Sequence, residues 1–301
     1  MLLLIDGHAI LHRAFHALPP LTNRAGTQTN AVYGFTTLLL RLLETQKPTH
    51  LAVAFDLPQP TFRMQIWTQY QEKRPEMQSN LAEQIPLVHE LLDALGIPYF
   101  EVGGYEADDV LGTLSTQHES VIIVTGDRDM LQLVNDKVRV LVPVRGLAET
   151  KLYDEQVVYH EHGVSPTQWV DVKALKGDAS DNYPGVRGIG PKTAQELIAK
   201  YKTLENVYKH IDELPPKIKL KLAEGAEMAG LSQKLAKIST DVPIKLNLDL
   251  AHVNKINWQK GVEYMRSVLG FRSIADKIEK NYLKKSEIKP QKPNPEQMEL
   301  I

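Results

Sequence analysis

The chain of 301 residues has no cysteine, which excludes disulfide staples and thiolate metal sites. It also lacks any apolar run near the roughly 20 residues a membrane-spanning helix needs. Its first ten residues, "MLLLIDGHAI", are broken by Asp6 and have no basic flank, so neither an anchor nor a signal peptide is expected, and a cytoplasmic setting fits. A basic surplus is missing too: 35 Lys and Arg stand against 37 Asp and Glu, a formal net charge of −2. That average argues against a uniformly basic nucleic-acid-binding surface, but not against one whose acids are gathered elsewhere. What is present is 43% hydrophobic content, enough for one sizeable core and a smaller one.

Short apolar runs alternate with helix-period segments: "LLLID", "NAVYGFTTLLLRLLE", "THLAVAFD", "LAEQIPLVHELLDALG", "IPYFEV", "EADDVLGTLS", "SVIIVTGD" and "RVLVPV". This rhythm predicts an α/β fold around a parallel sheet. From about Tyr153 the strands stop and short helices take over, with turns at "GVRGIGP", "DELPPK" and "GFRS". We expect an α/β core over 1–160, a helical region over 161–282 and a tail over 283–301. The tail's Lys/Pro-rich "KKSEIKPQKPNPEQ" predicts a disordered extension.

Acids close the predicted strands. Asp6 ends "LLLID", Asp56 ends "LAVAFD", and Asp127 and Asp129 follow "VIIVTG". Glu106, Asp108 and Asp109 crowd together after "IPYFEVGGY". Any one of these is explained as a helix cap or turn residue, and acids in a first helical turn complement the helix dipole. Together they are better explained by the carboxyl edge of a parallel sheet, where strand ends deliver ligands to one crevice. In "KGDASDNYPG", Asp178 and Asp181 lie three apart, able to face one ligand if the turn is helical; the plainer reading is an Asx-rich loop. Nine oxygen donors without His or Cys suit Mg²⁺ or Mn²⁺, and two such ions suggest phosphodiester hydrolysis. With nine acids so engaged, 28 of the 37 remain against 35 basic residues, a mildly basic surface.

Taken in order, "LLLIDGHAILHRAFHALPPLTN", "AVYGF", "AFDLPQPTFR", "GYEADDVL", "VTGDRDMLQLV", "KGDASDNYPGVRGIGPKTA" and "STDVPI" resemble the flap endonuclease family, in the form of the 5′ nuclease domain of bacterial DNA polymerase I. The resemblance runs from Met1 to about residue 280. It implies a PIN-like core with a helical arch at about 60–80, and a structure-specific 5′ nuclease acting on DNA flaps and nicks in replication and repair. It further implies that Asp6, Asp56, Glu106 and Asp108 surround one ion and Asp127, Asp129, Asp178 and Asp181 a second, with Asp109 close to both.

"GVRGIGPKTAQELIAKY" resembles the family's helix–turn–helix for duplex DNA, placed near 185–200. Gly188 and Gly190 permit a tight turn whose N–H groups approach a phosphate, beside Lys192 and Thr193; the plainer reading is a helix-to-helix turn. The resemblance adds K⁺ on turn carbonyls. In "LPQPTFRMQIWTQYQEKRPEMQSN", Arg63, Lys73 and Arg74 are interleaved with aromatics, a pattern suited to gripping a single strand, or else a partly buried connecting helix. The family usually carries Lys directly after the Tyr and Arg three residues later; here these are Gln71 and Arg74. The missing Lys leaves Arg74 and Lys73 as the arch cations for catalysis, Lys73 being offset by about 200° on a regular helix. Likewise His12 stands where relatives often have Tyr. A structure-specific DNA-binding protein with weakened catalysis is the alternative function, and an RNase on the same core a third. Finally, "QMELI" resembles a sliding-clamp-binding peptide through Gln297, Met298, Leu300 and Ile301; a chance match or an interdomain linker is the alternative.

Overall fold

The computed structural model describes residues 1–283. The tail from residue 284 on, with the clamp-type peptide Gln297, Met298, Leu300 and Ile301, lies outside the described residues. Six strands form one sheet: β1 (Leu2–Asp6), β2 (His50–Ala54), β3 (Tyr99–Phe100), β4 (Val121–Val124), β5 (Val138–Arg145) and β6 (Glu149–Tyr153), in the order β3-β2-β1-β4-β5-β6. β1 to β5 run parallel, and β6 returns antiparallel along β5. The mixed edge was not expected. The "ETKLY" of β6 is short and mostly half-exposed, and its Glu and Lys hide the alternation that a one-sided edge strand shows.

The apolar runs are continuous because the sheet is covered on both faces. In β1, Leu2 and Leu4 pack to one side with Val110, Leu111 and Leu114 of the Ala107–Ser115 helix. Leu3 and Ile5 pack to the other with Ile10, Phe35 and Leu91, from helices Gly7–Ala17, Asn30–Gln46 and Gln84–Leu95. The later helices divide between the faces: Val172, Leu175 and Ile198 join the first core, whereas Val262, Met265 and Ile274 join the second. Both cores therefore combine residues from before and after residue 160.

The expected helical arch takes a different form. Helix Phe62–Ile66 is a single short turn, residues 68–73 are turns, and Gln71 has φ of 57°. That left-handed residue interrupts any regular helix, so the helical offset assigned to Lys73 does not apply.

Candidate metal centre

The strand order reverses at β1, whose neighbours β2 and β4 lead away in opposite directions. Loops at such a switch point diverge and leave a crevice beyond the carboxyl ends of the strands. Asp6 and Asp56 stand at the ends of β1 and β2, and Asp127 follows β4.

Each strand-end carboxylate is oriented by its own backbone surroundings. Asp6 caps the Gly7–Ala17 helix through Ala9 N–H at 2.9 Å, and its other oxygen accepts from Thr125 Oγ1 at 2.7 Å. Asp56 accepts from Ala107 N–H at 2.8 Å. Glu106 caps the Ala107–Ser115 helix and accepts from Thr61 Oγ1 at 3.1 Å and Tyr70 OH at 3.3 Å. Capping and orientation at the strand end coincide at Asp6, where the cap fixes one oxygen and leaves the carboxylate at the end of β1.

Asp108 has no side-chain hydrogen-bond partner among the described residues, and it feels the charges of Asp127, Asp6, Asp56 and Glu106. Burial, followed by those four charges, holds its carboxyl well above the usual range. Burial and Asp56 push Asp6 up to about 7. Burial likewise raises Glu106 to about 7, against the opposing pull of Arg63. All-oxygen donors of this kind suit a divalent cation, although among the described residues only Asp129, Asp178 and Asp181 bring oxygens of three acids within 4.8 Å of one another.

A second group lies beside the first. Oxygens of Asp129, Asp178 and Asp181 all fall within 4.8 Å of one another. Asp178 and Asp181 belong to the loop 177–185, which closes on itself: Gly177 and Gly185 have φ of 70° and 60°, and a Cβ on Gly185 would sit 2.2 Å from Gly177 N. Only glycine permits that approach. Lys173, from helix Trp169–Lys176, sends its ammonium to both Asp129 and Asp178. Burial raises Asp129 to about 6 despite Lys173. At Asp178 burial also raises the carboxyl, but hydrogen bonds from Lys173 and Ser180 outweigh it and hold it below the usual range. Lys173 escaped sequence reading; its one signal is a charged residue flanked by Val172, Ala174 and Leu175 on a core-facing helix.

Two expected site residues prove to have other work. Asp109 is fully buried, and both its oxygens are taken by Arg63, at 2.7 and 2.8 Å, with further N–H bonds from Glu106 and Ser239. Both oxygens of the residue expected close to two ions are thus already engaged within the chain. Arg63 is 2% exposed, pairs with Asp109 and donates to the carbonyls of Leu235 and Lys237. It does not face a nucleic-acid strand; it ties the arch base to the helix Ala226–Ala236 and the segment after it.

In the arch, Arg74 reaches Asp181 at 3.3 Å with its side chain 54% exposed, and Gln71 Nε2 donates to the same oxygen at 3.2 Å. Lys73 is exposed, without a hydrogen-bond or ion-pair partner among the described residues. Further off, Gly188 has φ of 82° and its carbonyl accepts from Lys221 Nζ at 2.7 Å. Gly190 caps the Pro191–Tyr201 helix, whose first turn holds the exposed Lys192 and the half-buried Thr193.

Comparison with known proteins gives two consecutive family matches. Residues 1–163 match the model described as 5'-3' exonuclease, N-terminal resolvase-like domain, and residues 164–259 that described as 5'-3' exonuclease, C-terminal SAM fold. DNA polymerase I of Bacillus caldotenax is 44% identical over 283 residues, covering 92% of this chain and 32% of that protein. The chain thus spans about a third of the length of the curated relatives it matches. Among solved structures, T5 5'-exonuclease with bound divalent metal ions (zinc) aligns with a TM-score of 0.65 at 21% identity, covering 94% of this chain and 98% of that one. A bacteriophage T5 flap endonuclease, in a pseudo-enzyme-product complex with DNA and metal ions, aligns with a TM-score of 0.63 at 21% identity and the same coverage. These structural likenesses establish a shared fold.

Proposed function

The chain belongs to the 5'-3' exonuclease family, and on that premise we propose that it is a metal-dependent 5′ nuclease that hydrolyses DNA phosphodiesters at flaps and nicks during replication and repair. The observation that carries this reading is the acidic crevice at the sheet's switch point, where Asp129, Asp178 and Asp181 bring oxygens within 4.8 Å of one another and Asp108, without a side-chain hydrogen-bond partner among the described residues, feels four further carboxylates. A protein that used these acids only as caps has no reason to keep Asp108.

Asp6, Asp56, Glu106 and Asp108 would hold one divalent ion and Asp127, Asp129, Asp178 and Asp181 another, Mg²⁺ or Mn²⁺ being suited to an all-oxygen donor set. Such ions, when bound, lower the pKa of water and stabilise charge on the departing oxygen. The chain's own groups orient the substrate. Arg74, exposed above Asp181, offers a bidentate donor to a phosphate oxygen. Lys192 and the N–H groups opening the Pro191–Tyr201 helix suit a duplex phosphate, a contact that positions without reading bases. A K⁺ ion on the neighbouring turn carbonyls belongs to the same reading, with Lys221 already serving Gly188 O. In this scheme the α/β part to about residue 160 carries most of the chemistry, and the helical part to about 282 the duplex. The cytoplasm is the fitting compartment; among the described residues no helix is long and apolar enough to cross a membrane. Docking on a sliding clamp through Gln297, Met298, Leu300 and Ile301 remains part of the proposal.

A 5′-labelled flap oligonucleotide incubated with Mg²⁺, Mn²⁺ or chelator tests the reading. Cleavage near the flap base that needs the metal supports it, and binding without cleavage under any metal points to the second reading, a DNA-binding protein with weakened catalysis. Gln71 favours that second reading, because an uncharged amide meets Asp181 where relatives usually carry Lys.

A further inference from the structure

Lys173 is a buried cation of the crevice that neither reading uses. Its side chain is 7% exposed, so solvent screens its charge little. The ammonium donates to Asp129 and Asp178 together, and those oxygens share a 4.8 Å neighbourhood with Asp181. Val172, Ala174 and Leu175, all buried, hold the helix that carries it.

We propose that Lys173 is a resident counter-cation of the Asp129, Asp178 and Asp181 group and makes it the weaker of the chain's two cation sites, filled only after the strand-end carboxylates. The inference rests on the metal reading above. A divalent ion entering this group approaches a fixed ammonium already bonded to two of its donors. Arg74, 3.3 Å from Asp181, adds a second positive charge. Three of the four carboxylates assigned to this ion thus meet two protein cations, while the fourth, Asp127, has no ion pair among the described residues. The strand-end group is offset less, because Arg63, 3.6 Å from Glu106, is shared with Asp109, and His8, 3.7 Å from Asp56, carries charge only when protonated. Repulsion between like charges at such distances is strong where water is excluded. A substrate phosphate would bring the negative charge that the group lacks, so its occupancy becomes coupled to substrate binding. Chain alone and chain with substrate then differ in how many ions they hold.

The test is Mn²⁺ titration of the full chain without DNA, following free Mn²⁺ by electron paramagnetic resonance. Wild type is expected to show one tight and one weak class. Lys173→Met should tighten the weak class tenfold or more and leave the tight class unchanged, while Lys173→Arg, which keeps the charge, should behave as wild type. Lys173→Gln, which retains a donor to one carboxylate, gives the same reading if Met is not tolerated at this buried position. A weak class unchanged within twofold in the neutral variants overturns the inference, as does equal tightening by Lys173→Arg. Two equal classes in wild type overturn it as well. No Mn²⁺ bound by wild type overturns the metal reading itself, and this inference with it.

Discussion

Asp6 and Asp56, at and just past the ends of β1 and β2, and Glu106 and Asp108, at the start of the Ala107–Ser115 helix, feel one another's charge, and the nearest arginine, 3.6 Å from Glu106, is shared with Asp109. A few residues away, Asp129, Asp178 and Asp181 are met by the buried ammonium of Lys173 and the exposed guanidinium of Arg74. Both groups are carboxylate clusters in the same crevice, yet the second is balanced more fully by the protein, since the first has only the shared Arg63 and the neutral-or-charged His8 beside it. A less balanced cluster stays in tension until a cation arrives, whereas a more fully balanced one is more stable alone and resists the ion. Counting acids in a crevice therefore predicts that cations bind, and the fixed positive charges around them predict the order.

The largest expected effect comes from removing the partnerless carboxylate. Asp108→Asn should lower flap cleavage roughly a thousandfold or more, since a divalent ion's stabilisation of transition-state charge is worth several kcal/mol. Flap binding, which the proposed function assigns to the helix–turn–helix, should be largely kept in a fluorescence anisotropy assay. The same variant should melt higher than wild type without metal, by roughly 2–4 °C for about 1 kcal/mol of relieved repulsion. A lower metal-free Tm would mean that the strand-end group is not in tension.

The buried pair beside that group should respond in the opposite sense. Arg63→Met leaves Asp109 charged, buried and without its ionic partner, a change that costs about 3–5 kcal/mol. Urea unfolding measures this directly. Loss below about 1 kcal/mol, against the usual cost of breaking such a pair, would show that Arg63 is not what holds the arch base.

On the balanced side, Gln71→Lys at saturating Mg²⁺ should accelerate single-turnover cleavage by about tenfold, because a cation near the scissile phosphate stabilises developing charge. At limiting Mg²⁺ the gain should shrink, as the added charge joins Lys173 and Arg74 against the ion. If Lys73 has taken over the role, Lys73→Ala should be the damaging change instead; rates unaltered by both substitutions would remove the arch cations from the chemistry. Smallest of all, Lys192→Ala touches neither acid group: it should weaken duplex binding evenly across sequences, lower the slope of log affinity against log salt by about 1, and leave metal affinity unaltered.

Strand ends were the legible part of the site. An Asp that closes an apolar run can be placed without coordinates, because the run dictates a buried parallel strand and the sheet dictates which edge its end occupies. Asp6, Asp56 and Asp127 needed nothing more. Asp109 shows where that reasoning stops: one residue from Asp108 on the same helix, it points a further 100° or so around the axis, where Arg63 waits. Arg63 read as a strand-gripping cation because it lies among aromatics, yet those aromatics are partly core, with Tyr70 only 5% exposed. Gln71 was legible as a departure from the family pattern, but its left-handed backbone was not.

The sequence by itself determined the α/β rhythm, the acids at its strand ends and the family, because periodicity and charge pattern are properties of neighbouring residues. Tertiary structure alone decided which carboxylates remain unpaired. Arg63 meets Asp109 across 46 positions of chain, Arg74 meets Asp181 across 107, and Lys173 joins Asp129 to Asp178. The charge balance of a site is a sum over such distant partners, and no spacing in the chain encodes it.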